Sequence, residues 1–168
     1  FQSGTLLSRG DVDQHLLVDC GSGVLHGLAR TEAGYEALDA VLLTHHHLDH
    51  VADLMPLLKA RWLAGAEDLT IAGPPGTSDL VEDLLTVHDY MQGRLNLSIR
   101  DLEVTAKTDE NGADVENDDG GGAGFSVAGF DGTAMETRHS MQCFAYRLTP
   151  AVDGVVDGAI ADPPTVAF

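Results

Sequence analysis

The sequence predicts a layered α/β domain built around a loop of metal-binding side chains. Short β-like runs alternate with helical stretches up to about residue 88, and mostly strands follow. The run Ala40–Leu43 is continuously apolar, which suits a strand covered on both faces. That run passes directly into Thr44-His45-His46-His47-Leu48-Asp49-His50, where a buried strand would deliver several imidazoles and a carboxylate to one pocket.

The elements follow in order. Thr5 to Leu7 and Leu16 to Val18 read as adjacent strands joined by the polar turn Arg9-Gly10-Asp11. Asp19-Cys20-Gly21-Ser22-Gly23 is a tight loop, and a short helix follows with Val24, Leu25, Leu28 and Ala29 on one side and Gly34 near its end. After the histidine loop, Val51 to Ala64 reads as a helix with Val51, Leu54, Leu58 and Arg61-Trp62 on its packed face, along which Arg61 can snorkel. Pro56 falls inside that span and marks either a flaw in it or the first turn of a shorter helix. Leu69 to Ala72 is a strand closed by Gly73-Pro74-Pro75-Gly76. Thr77 or Ser78 is placed to cap the next helix, in which Leu80, Val81, Leu84, Leu85 and His88 recur at helical spacing.

The rest is extended. Leu95 to Thr105 reads as extended, and Asp109 to Gly124 as a solvated acidic loop with almost no apolar residues. Phe125 to Phe130 and Thr133 to Thr137 flank Asp131-Gly132, a hairpin signal. Cys143 to Leu148 is another strand, Thr149 to Pro164 a loop, and Thr165 to Phe168 the start of a strand. The glycine loop lacks the G-x-G-x-x-G spacing of a dinucleotide site, and no Walker lysine is present.

Composition narrows the function classes. With 168 residues, 43% of them hydrophobic, the chain fits one domain with a real core. No stretch approaches 18 consecutive apolar residues, so no membrane-spanning helix is expected. Nine Lys+Arg against 27 Asp+Glu leave a net charge of −18, which repels nucleic acid in general and is well tolerated in high salt, where screening is strong. Cys20 and Cys143 form no C-x-x-C and read as small buried hydrophobes.

His45 and His47 lie two apart at a strand end, so both rings can face one side. Imidazole suits zinc, iron and similar metals. Asp49 and His50 follow at the turn into a helix, where they can face a second ion, and Asp49 can orient a hydroxide or accept its proton. His46, between them, is expected to point away. The first ion needs a third ligand. His139 is the best choice because Arg138-His139-Ser140 ends a strand as Thr44-His45 does, and it is preferred over His15, His26 and His88.

The segment Leu42-Leu43-Thr44-His45-His46-His47-Leu48-Asp49-His50 resembles the signature loop of the metallo-β-lactamase fold hydrolases, and within them the ribonuclease Z-like branch. Leu17-Val18-Asp19-Cys20-Gly21 resembles the second strand and glycine loop of that branch. Thr137-Arg138-His139-Ser140 with Tyr146-Arg147-Leu148 resembles its third ligand motif. The resemblance implies an αββα sandwich, of which residues 1–168 form a single incomplete domain: the N-terminal half plus part of the second sheet. It implies two divalent ions, zinc first and Mn(2+) or Fe(2+) as substitutes, held by His45, His47 and His139 and by Asp49 and His50. Asp19 would lie beneath the site, steadying the loop or a ligand ring.

The implied activity is hydrolysis of a phosphodiester or related ester by a metal-bridging hydroxide, with a small-molecule ester or an RNA 3′ end as partner. The implied setting is the cytoplasm, with a homodimer possible from family habit. A small-molecule sulfate-ester or lactone hydrolase and an inactive scaffold of the same fold remain alternatives. A small-molecule enzyme would have a narrow pocket walled by groups such as Trp62, Tyr90 and Met91. The branch's Ser-Gly-Asp segment and its last histidine do not appear before Phe168, so an internal fragment is expected. The branch's long transfer-RNA arm has only Thr149 to Pro164 to occupy, a stretch without lysine or arginine.

Overall fold

The computed structural model describes residues 3–9, 11–104, 123–151 and 166–167. Two sheets lie face to face, and helices cover the outer face of the first. Strands β1 (Thr5–Arg9), β2 (Gln14–Val18), β3 (Ala40–Leu42), β4 (Asp68–Gly73) and β5 (Asn96–Asp101) form the first sheet in that order. β1 is antiparallel to β2, and the other pairs are parallel. Strands β6 (Ala123–Val127), β7 (Phe130–Glu136), β8 (Phe144–Pro150) and β9 (Val166–Ala167) form the second, antiparallel throughout. The helices are α1 (Val24–Leu28), α2 (Leu48–Val51), α3 (Leu54–Ala64) and α4 (Thr77–Val87). This is the expected α/β sandwich, with one mixed and one antiparallel sheet.

Strand alternation sorts the core into two parts. Leu17, Val41, Leu43 and Ile71 pack outward against Leu54, Leu57 and Leu58 of α3 and Val81 of α4. Leu16, Val18, Ala40 and Leu42 pack inward against Val127, Phe130, Phe144, Tyr146 and Leu148 of the second sheet. Both faces of β3 are therefore dry, as its unbroken apolar run requires. Two hydrogen bonds tie the sheets together at the end of β3: Tyr146 Oη donates to Leu43 O at 2.7 Å, and Phe144 N donates to Thr44 O at 2.9 Å. Arg9 adds a third link, from β1 to the carbonyls of Gly129 and Ala151 at 2.8 and 2.9 Å.

Several sequence expectations need correction. The helix expected over Val51 to Ala64 is two helices. α2 ends at Val51, α3 begins at Leu54, and Pro56 falls in the first turn of α3, where a missing N–H costs nothing. α1 stops at Leu28, so Gly34 does not end it. Neither Thr77 nor Ser78 caps α4. Gly76 holds the cap position, and the carboxylate of Asp101, from β5, accepts from Gly76 N at 3.1 Å and Ser78 N at 2.8 Å.

The hairpin turn is not Asp131-Gly132, which lies inside β7. It is Ala128-Gly129, with φ of 45° and 72°; a two-residue turn with both central φ positive matches the twist of the strands better than the dipeptide signal elsewhere. The expected acidic loop yields Ala123 and Gly124 to β6, and its remainder lies outside the described residues. Within the extended stretch expected over Leu95 to Thr105 the strand runs from Asn96 to Asp101, and Thr149 and Pro150 belong to β8 rather than to a loop. Most of the expected loop from Thr149 to Pro164 lies outside the described residues.

Candidate metal centre

The site lies at the ends of β2 and β3, where the parallel strands release their chains into loops. Directly after β3, Leu43 and Thr44 are still buried, and Thr44 N is the first donor with no strand partner. The Asp19 carboxylate takes it at 2.8 Å. Asp19 is 3% exposed and sits at φ 61°, a left-handed conformation that carbon-branched residues avoid. Its carboxylate also accepts from Thr44 Oγ1 at 3.0 Å, from Ser3 Oγ at 3.1 Å and from His50 Nδ1 at 2.7 Å.

Gly21 lets this loop dock on the histidine turn. A Cβ there would stand 2.0 Å from the carbonyl oxygen of Asp49, so only glycine fits. Cys20 N donates to His50 O at 2.7 Å and Asp53 N donates to Cys20 O at 2.9 Å, which fixes α2 and the start of α3 to the loop.

Three imidazoles converge above this floor. The ligand nitrogens of His45, His47 and His139 all lie within 4.8 Å of one another, and among the described residues this is the group that could hold an ion. Ring centroids are 4.9 Å apart for His45–His47, 4.5 Å for His45–His139 and 4.8 Å for His47–His139. Three nitrogens on one zinc at ~2.1 Å in a tetrahedron stand ~3.4 Å apart, so an adjustment of about an ångström brings this set onto one ion. His45 is buried, His47 half-buried and His139 exposed, which leaves the centre open on the His139 side.

The hydrogen bonds select the donor atoms. The Thr44 hydroxyl donates to Asp19, so at His45 Nδ1, 3.0 Å away, it acts as acceptor of the ring N–H. His50 Nδ1 likewise donates to Asp19. Both rings then present Nε2 with a free lone pair, the arrangement by which a second hydrogen bond orients a metal-binding imidazole. Burial, and then the neighbouring rings of His50 and His139, push the His45 imidazole down to about 4, so it is neutral and able to ligate at neutral pH.

Asp49 and His50 stand beside the three histidines. The His50 ring is 4.0 Å from that of His45, centroid to centroid, and its Nε2 is 3.7 Å from Asp49 Oδ2. No second group of three ligands forms among the described residues. His46 turns away and pairs with Thr77 Oγ1 at 2.8 Å, on α4. His15 faces Ser8 on β1, His26 lies in α1 and His88 lies beside Tyr90, so none joins the centre.

Trp62, Tyr90 and Met91 do not wall the site. Met91 is in the core, while Trp62, in the last turns of α3, and Tyr90, in the 3-10 turn that follows α4, hold the Lys59 ammonium at 4.1 and 4.7 Å from their ring centroids. Of the two cysteines, Cys20 is buried and Cys143 only partly so, and both are free thiols. Cys143 lines, with Asp19, His45, His50 and Phe144, a cavity of about 380 Å³ that opens beside the histidines. Sequence reasoning missed Ser3, whose hydroxyl reaches Asp19, and the contact of Ser140, named only within its motif, whose hydroxyl lies 3.5 Å from His47 Nε2. Only chain folding brings them there.

Comparison with known proteins agrees with this geometry. Residues 2–145 match the Metallo-beta-lactamase superfamily. Over 90 residues the chain is 46% identical to Ribonuclease Z of Mycolicibacterium gilvum, a match covering 51% of this chain and 31% of that protein. The metallo-beta-lactamase fold protein YhfI from Bacillus subtilis superposes with a TM-score of 0.62 at 29% identity, over 88% of this chain and 50% of that one. Human tRNase Z, short form, superposes with a TM-score of 0.69 over 89% of this chain and 57% of that one; at 20% identity that likeness is one of fold. The match spans under a third of the length of the mycobacterial relative. The loop, the three converging histidines and the two-sheet architecture together make this chain a member of the metallo-beta-lactamase superfamily, related to ribonuclease Z.

Proposed function

We propose that this chain carries the metal-binding part of a dinuclear, metal-dependent hydrolase that cleaves phosphodiesters, with an RNA 3′ end as the substrate class. The convergence of His45, His47 and His139 within 4.8 Å is the observation that carries the reading, and kinship with Ribonuclease Z supports the substrate. In this reading His45, His47 and His139 hold one divalent ion, and Asp49 and His50 contribute to a second. Such ions, zinc first and Mn(2+) or Fe(2+) as substitutes, would when bound supply positive charge to acidify a water and offset charge on the phosphoryl oxygens. Asp49, half-exposed beside His50, accepts the water's proton and orients it toward phosphorus. Asp19 keeps Nε2 of His45 and His50 free for ligation, and the open side at His139 admits the substrate.

A second reading, hydrolysis of a small sulfate ester or lactone, has one observation in its favour. Arg138 is the only Lys or Arg in the segment from residue 137 to 143 that borders the centre, on a chain of net charge −18. A transfer-RNA backbone would find few cations there.

The test uses the native gene product that carries this sequence. Metal content is measured beside turnover of bis(p-nitrophenyl) phosphate and p-nitrophenyl sulfate, for the wild type and for His47→Ala and His139→Ala. Metal-dependent diester cleavage that both substitutions abolish is expected. Retained turnover in His47→Ala at saturating zinc refutes the reading, sulfate cleavage alone selects the second, and metal-free inactivity selects an inert scaffold.

A further inference from the structure

Two large apolar side chains stand exposed within two residues of the converging histidines. Leu48, 76% exposed, directly follows His47, and Met141, 36% exposed, lies two residues after His139. The rings of His47 and His139 are 4.8 Å apart, and Ser140 Oγ is 3.5 Å from His47 Nε2, so the two segments meet there, and each carries one exposed apolar residue. A single exposed leucine is ordinary. An apolar pair beside a cluster of polar ligands is the make-up of a small-molecule site, where a few polar groups fix one end and apolar walls hold the rest.

We propose that Leu48 and Met141 are specificity-determining residues that grip the nucleobase next to the phosphate to be cleaved. The inference rests on the phosphodiester reading and adds which part of the substrate is recognised. The net charge of the chain favours this occupant. A chain of net charge −18 repels further phosphates, so a grip beyond the one phosphate at the centre must come from uncharged contact. A base offers a planar face to the leucine, and the flexible thioether of methionine packs well on aromatic rings.

Calorimetric titration of the zinc-loaded native protein with AMP and with ribose 5-phosphate tests this. AMP should bind roughly tenfold tighter, the gain from covering part of the base with apolar surface. Replacing both Leu48→Asn and Met141→Asn should bring AMP to the level of ribose 5-phosphate and leave zinc content and ribose 5-phosphate affinity unchanged. Leu63→Asn, 70% exposed at the far end of α3, should keep the preference. Equal affinities in the wild type, a preference that survives the double substitution, or an equal loss in Leu63→Asn each overturn the inference. Turnover of bis(p-nitrophenyl) phosphate in the same preparation separates the two readings. Turnover without base preference sinks the inference alone, whereas neither phosphate binding nor turnover sinks both.

Discussion

Replacing Asp19 tests the floor of the centre. In Asp19→Ala the carboxylate that accepts from Thr44 N, Thr44 Oγ1, Ser3 Oγ and His50 Nδ1 is gone. Thr44 N–H is then buried without a partner, which costs about 1–3 kcal/mol. The Thr44 hydroxyl rotates to another acceptor, and His50, whose side chain is 21% exposed, is partly rehydrated, so their losses are smaller. Alanine at φ 61° adds about 1 kcal/mol of backbone strain relative to aspartate. Relief of the buried charge offsets part of this. The sum is a destabilisation of about 3 kcal/mol, read as a lower urea midpoint at unchanged m-value in metal-free protein. Asp19→Asn separates holding from tuning. Its amide oxygen still accepts from Thr44 N, so stability should fall by only about 1 kcal/mol. Its amide N–H faces His50 Nδ1, however, and drives that ring to the tautomer with the proton on Nε2, removing the donor. Zinc affinity, measured against a chelating dye, should then fall by about 10- to 100-fold. Wild-type zinc affinity in Asp19→Asn, or a loss under about 1 kcal/mol in Asp19→Ala, refutes the argument.

Tyr146→Phe removes the bond from Tyr146 Oη to Leu43 O between the sheets; chemical denaturation should show a loss of about 1–2 kcal/mol. Burial, and then Asp53 and Asp19, hold the Cys20 thiol far above its ordinary range, so iodoacetamide at pH 8 should label Cys143 and spare Cys20 in the native protein, with mass spectrometry reading the sites. Although burial acts to raise it, bonds from Ser78 and Gly76 hold the Asp101 carboxyl below its ordinary value. Its stabilising effect on α4 is complete above the ordinary carboxylate pKa and is lost as the pH falls through the lowered one. Asp101→Asn should therefore lower Tm at pH 6 more than at pH 3, and an equal loss at both rules the linkage out. Adding KCl from dilute buffer to molar levels should raise Tm if −18 charges strain the native state, and full stability in dilute buffer would dispose of salt adaptation.

The metal loop was legible because its information is local. A continuous apolar run ending in H-x-H-x-D-H places ligands at a buried strand's end by chain direction alone, and β3 with its histidines appears as expected. His139 could be chosen because it, too, follows a strand. The helix cap of α4 could not be read, since the carboxylate that supplies it comes from Asp101 on β5, more than 20 residues away. The hairpin turn was misplaced because Asp131-Gly132 carries the stronger local preference. The antiparallel pairing of Phe125 with Gly132 and of Val127 with Phe130 decided the register instead, and a register shift would turn every core side chain of β7 outward. Sequence alone thus picked out the three histidines that converge and the order in which the strands supply them. Tertiary structure decided which nitrogen each ring offers and what the Asp19 carboxylate holds. Those depend on hydrogen bonds between residues 16 to 31 positions apart, which local preference does not encode.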